Sequence, residues 1–65
     1  MTGRVLKGQA EMADFARVSV RTIRRWWPRM VEAGAGWKTR EGRPPRPVCK
    51  ADAERLVEFM RENGI

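Results

Sequence analysis

Apolar positions along the chain recur at helical spacing in its first half and again at its end, and between them the pattern breaks. Turn-forming residues divide the sequence into four pieces. The first predicts a helix from about Gly8 to Ala16. The second predicts a helix from Val20 to Trp27, continued after Pro28 and stopped by Gly34-Ala35-Gly36. Pro28 has no N–H to offer Arg24 and biases Trp27 away from helix, so the helix is expected to end or kink there. A Gly- and Pro-rich basic stretch, Trp37 to Lys50, follows. The last piece reads as a helix from about Ala51 to Asn63, closed by Gly64.

On this final helix Ala53, Leu56, Val57 and Met60 form one stripe for burial, with Phe59 on its flank. Glu54, Glu58 and Glu62 repeat every fourth residue on the other side, where phosphate would be repelled. The helix is therefore expected to close the core and face away from any nucleic acid.

The two earlier helices have the spacing of a helix-turn-helix. Met12, Ala16, Val18, Ile23 and Trp26 occupy the positions where two such helices cross, and Ala13 supplies a small residue at close approach. Ser19 is a suitable N-cap for the second helix. On a wheel of about 100° per residue, Val20, Ile23, Trp26, Trp27 and Met30 fall within roughly 120°. Arg21, Thr22, Arg24, Arg25 and Arg29 lie opposite, with no acid among them. A face of arginine and threonine gains nothing from folding, because its charges repel; a DNA major groove resolves that repulsion. Arg21, Thr22 and Arg25 are expected at base edges, and Arg24 and Arg29 at phosphates. Arg17 and Ser19, at the turn and helix start, are expected beside phosphate as well. Arg17 stands where such turns commonly carry glycine.

Between Trp37 and Cys49 the chain reads as a strand, a turn at Glu41-Gly42 and a return strand interrupted by Pro44, Pro45 and Pro47. The prolines argue for an edge ribbon and against a central strand. Lys38, Arg40, Arg43 and Arg46 would make it a basic wing reaching phosphates or a minor groove.

Charge sharpens this reading. The 65 residues carry +6, from fourteen Lys and Arg against eight Asp and Glu. Residues 1–16 balance; residues 17–50 hold ten cations and two acids, a net of +8; residues 51–65 hold two cations and four acids, a net of −2. Such segregation is expected of a chain with one face turned to a polyanion. A single cysteine, Cys49, permits no internal disulfide, and with no histidine a zinc site, which needs about four N or S ligands, is excluded. The sequence offers no catalytic residue, no metal ligand set and no cofactor motif. No apolar signal region follows Met1, so a cytoplasmic protein is expected.

Ser19-Val20-Arg21-Thr22-Ile23-Arg24-Arg25-Trp26, a Gly- and Pro-containing basic ribbon, and a helix beginning near Ala51-Asp52-Ala53 together resemble the phage excisionase family. More broadly they resemble winged-helix proteins such as MerR-type regulators and the DNA-binding domains of terminase small subunits. The resemblance covers about residues 5–60. It implies double-stranded DNA as partner, self-association on adjacent sites, contact with an integrase or other recombinase, DNA bending, and a bacterial or phage-infected cell as setting. By the same resemblance Arg21, Thr22, Arg24 and Arg25 would enter the major groove, and Arg40 to Arg46 would form the wing.

The expected architecture is a single mainly α domain over 1–65, a small winged helix-turn-helix of three to four helices and a short β-hairpin. The helix-turn-helix covers about 8–34, the wing about 37–50 and the closing helix about 51–63. A recombination directionality factor is the first functional expectation. A transcriptional regulator or a packaging-recognition domain is a second. A third is a protein-interaction adaptor using exposed parts of Phe59, Met60 and Ile65; membrane association is not expected.

Overall fold

The computed structural model describes residues 3–65, in which three helices pack against a three-stranded antiparallel sheet. The elements run β1 (Val5–Lys7), α1 (Gln9–Ala16), α2 (Val20–Glu32), β2 (Gly36–Glu41), β3 (Arg46–Asp52) and α3 (Ala53–Asn63). The fold is mixed α/β, which corrects the mainly α expectation. The difference is β1, three residues too short to show a strand period, whose Leu6 is nevertheless fully buried. β1 pairs with β3 through Leu6 opposite Ala51 and Lys7 opposite Lys50.

β3 thus lies in the middle of the sheet, in the order β1-β3-β2, although it contains Pro47. The carbonyl of Cys49 accepts from Gly8 N–H at 2.7 Å, and Asp52 N–H donates to Ala35 on the other side. Backbone groups alternate along a strand, so Pro47 turns its nitrogen the same way as Cys49, away from β2. β1 reaches only Lys50 to Asp52, and at Pro47 no strand waits for a donor. The expected edge ribbon is correct for the outer half of the hairpin and wrong for its base. The connecting loop runs over 42–45, and Pro47 sits inside the strand opposite Arg40.

α2 continues through Pro28 to Glu32, so the helix does not end at Trp27. Pro28 is exposed, and the carbonyl of Arg24 that it leaves without a donor can be hydrated. Burial of Trp27 on one side and Met30 beyond the proline holds the helix together. Which residues are buried also differs from the wheel. Ile23, Trp27 and Met30 are buried, Trp26 is half-buried, and Val20 is 38% exposed.

α3 starts at Ala53 rather than Ala51, because Asp52 caps it by accepting from Arg55 N–H at 3.0 Å while Ala51 belongs to β3. Its buried stripe is Ala53, Leu56, Phe59 and Met60; Val57, expected inside, is 40% exposed. Burial of Phe59 and Met60 removes two of the three residues proposed for an adaptor surface. No helix among the described residues is long and apolar enough to cross a membrane.

Leu6, Met12, Ile23, Met30 and Leu56, one or two from each of β1 and the three helices, are the largest fully buried side chains. Trp27 packs closely against Gly36. A Cβ placed on Gly36 would lie 2.7 Å from Trp27 Cζ3 and 2.9 Å from Cη2, closer than real contacts allow. Gly36 is required here for space. Gly36→Ala should destabilise the protein by about 1–3 kcal/mol, as overpacking does. Because the clash is with the six-membered ring of the indole, Trp27→Phe should absorb part of it. In urea denaturation the double variant is expected to lose less than the sum of the single losses.

Candidate nucleic-acid interface

The turn between α1 and α2 is built from Arg17, Val18 and Ser19. Val18 N–H donates to Ala13 O at 3.0 Å and Arg17 N–H to Asp14 O at 3.3 Å, the paired bonds that close a helix through a left-handed residue. That residue is Arg17, at φ 59° and ψ 43°. α2 and α3 end with the same bond pair, at Gly34 and Gly64. α1 alone uses a residue whose Cβ makes the conformation costly. Ser19 then caps α2 by accepting from Thr22 N–H at 3.2 Å, and the two hydroxyls lie 3.0 Å apart.

Burial of Ile23, Trp27 and Met30 fixes the direction of every other α2 side chain. At about 100° per residue, Arg21 and Arg25 point directly away from that buried stripe, with Arg24 on one flank and Arg29 on the other. All four are exposed, as are Arg17 and Ser19. Thr22 is half-buried and its hydroxyl engages Ser19. Arg29 lies over the Trp26 ring, 5.3 Å from its centroid, and Trp26 meets Phe59 edge-on with centroids 6.0 Å apart. Arg25, Trp26 and Arg29 line a polar cleft of about 270 Å³. Trp26 thereby serves as the rest for an arginine, a role the pattern of apolar positions did not reveal.

The uninterrupted helix adds Glu32, which falls on the same side as Arg21 and Arg25, two turns beyond Arg25. The cationic face therefore runs from Arg21 to Arg29 and stops short of the end of α2. On the hairpin, Lys38, Arg40, Arg43 and Arg46 are all exposed. Lys38 and Arg40 point to one face of the ribbon and Arg46 to the other, since side chains alternate along strands. The loop between the strands contains the cis Arg43–Pro44 peptide. None of the cations expected at a site forms an ion pair with another described residue.

The one ion pair among the described residues joins Lys50 to Glu41 across the hairpin. Thr39 Oγ1 donates to the same carboxylate at 3.0 Å. The acid in the basic ribbon is thus occupied within its own face, leaving the other cations unneutralised. Bonds from Lys50 and then Thr39 hold the Glu41 carboxyl below the usual carboxylate range. Sequence patterns missed this network because it depends on strand register. Lys7, Lys50 and Trp37 form one cross-strand row on the outward face of the sheet, and Trp37 is 36% exposed there.

Two expectations follow. Arg17→Gly should be more stable than Arg17→Ala by about 1 kcal/mol in urea denaturation, because both delete the guanidinium and only glycine relieves the left-handed strain. For Glu41, the folded chain binds the proton less readily than the unfolded one. The hairpin contact is therefore in place above the ordinary carboxylate pKa and is lost as pH falls through the lowered value. NMR titration of the Thr39 and Lys50 amides should show a midpoint below that of an unperturbed glutamate, and Glu41→Gln should abolish it. Among known proteins, no family model matches the chain, and no curated protein or solved structure gives a significant match.

Proposed function

We propose that this protein binds double-stranded DNA as a winged helix-turn-helix, with the N-terminal part of α2 in the major groove and the β2–β3 hairpin on the flanking backbone or minor groove. One observation carries the reading: Arg21, Arg24, Arg25 and Arg29 project from one rigid helix, exposed and without acidic partners, while Ile23, Trp27 and Met30 anchor its back. A folded protein gains nothing by assembling such a surface for itself. Phosphates and the guanine edge accept it.

In this reading Arg21 and Arg25 meet base edges, and Thr22 contributes from the capped first turn. Arg17, Ser19, Arg24 and Arg29 contact phosphates. Lys38, Arg40, Arg43 and Arg46 follow the backbone beyond the groove. Glu32 marks where α2 leaves the DNA. The acidic row on α3 keeps that helix off the duplex. The finer role rests on the sequence resemblance to excisionases: a cytoplasmic architectural factor that fills adjacent sites, bends DNA and cooperates with a recombinase, with no chemistry of its own.

Selection from a random duplex library followed by fluorescence anisotropy tests the reading. Log affinity should fall linearly with log salt, by about 0.9 for each phosphate neutralised. Arg21→Ala and Arg25→Ala should each relax sequence preference at one or two positions, at a cost of about 1–3 kcal/mol. Lys38→Ala should weaken all duplexes alike and reduce the salt slope by about 1. Unchanged preference in both arginine variants would remove the assignment of the reading residues. Lack of retention on any duplex at low salt would remove the function. Tandem sites bound more tightly than single sites favour the excisionase-like role over that of a single-site regulator.

A further inference from the structure

β2 is the outer strand of the sheet, and the register of the hairpin decides which of its backbone groups are free. In an antiparallel pair, residues that exchange backbone bonds alternate with residues that do not. Asp52 N–H donates to Ala35 O at 3.1 Å, so Trp37, Thr39 and Glu41 turn their backbone groups to β3. Lys38 and Arg40 turn theirs outward, about 6.8 Å apart along the strand. Among the described residues nothing pairs with either on that side. The opposite edge of the hairpin is blunted, because Pro47 has no N–H and Gly8 occupies the Cys49 carbonyl. The side chains of Lys38 and Arg40 share one face of the ribbon, opposite Cys49 and Pro47, with no acid of the hairpin on that face. On the other face Trp37 is 36% exposed, and Glu41 is already held by Lys50 and Thr39. Residues 36–50 hold five cations and one acid, a net of +4.

We propose that the outer edge of β2 receives an extended segment of another protein in which acidic residues alternate with apolar ones. The segment adds a fourth strand, and its backbone bonds to the free N–H and C=O groups of Lys38 and Arg40. Acidic side chains then stand directly opposite these two cations, where opposite charges stabilise a cross-strand pair. The intervening side chains fall on the other face, opposite Trp37 and Thr39, and an apolar residue there covers the indole. A second copy is excluded by the same rule. Pairing β2 antiparallel with itself about Thr39 sets Lys38 against Arg40 twice, and an in-register parallel pair aligns each cation with its like. A duplex satisfies the side chains but leaves the strand edge in water, since phosphate accepts bonds and donates none. The inference does not need the DNA reading; the two share Lys38 and Arg40, so an added strand and a bound duplex compete.

The test uses the full-length ¹⁵N-labelled protein and three synthetic peptides. One alternates glutamate and valine, one is the same peptide with its glutamate backbone nitrogens methylated, and one alternates lysine and valine. In the free protein the amides of Lys38 and Arg40 should exchange rapidly with solvent, and that of Thr39 slowly. The first peptide should give saturable shifts along β2 and slow the exchange of Lys38 and Arg40; the other two should not. Reversing both charges, with Lys38→Glu and Arg40→Glu together, should weaken the glutamate peptide by about tenfold or more. The same variant should gain binding of the lysine peptide, which also shows that its edge is intact. Equal binding of the methylated peptide would reduce the contact to charge alone and overturn the proposal, as would the absence of saturable shifts. Protection of these amides on concentrating the protein alone would overturn it in favour of a second copy, and protection by duplex but not by peptide in favour of nucleic acid. A protein that binds the glutamate peptide but no duplex would sink the DNA reading and leave this one standing.

Discussion

The seat of Trp27 on Gly36 joins the two halves of the molecule. The indole leaves α2 one turn after Ile23 and ends against the first residue of β2, where any side chain would intrude. That contact fixes how the hairpin leaves the helix, and with it the relative placement of the two cationic surfaces. It also explains why a helix containing an internal proline stays whole. Residues on either side of Pro28 are held from the core side, so the missing backbone bond falls on the exposed side, where water can replace it. Trp26 is left half-buried against Phe59, free to support Arg29.

Where the protein accepts an unfavourable local choice, a charge is presented. The left-handed end of α1 is an arginine although the other two helices use glycine at the same place. The cost is of order 1 kcal/mol, considerable for a domain of this size, and it places an exposed arginine two residues before the Ser19 cap. The opposite device operates on the hairpin, where Glu41 is held by Lys50 and Thr39 and adds no free negative charge to a basic ribbon. Both arrangements keep positive charge outward on the elements around α2. Acidic charge collects on α3, whose buried face closes the core.

Local chemistry by itself specified much of this protein. The caps at Ser19, Gly34 and Gly64 placed helix ends within a residue or two, because an N-cap hydroxyl and a left-handed glycine act through their nearest neighbours. The segregation of charge, and the exposure of Arg21, Arg24, Arg25 and Arg29, follow from the period of α2 alone. What only the tertiary structure decided involves partners distant in the chain. β1 exists because Ala51 and Lys50 are there to pair with it, and three residues carry no period of their own. Pro47 is tolerated in a central strand because β1 is short. Trp27 rather than Trp26 is buried because Gly36 leaves it room, and Phe59 rather than Val57 is inside because Trp26 meets it. A helical wheel orders residues by angle; it does not know which neighbour stands at each angle, and packing is decided by that neighbour.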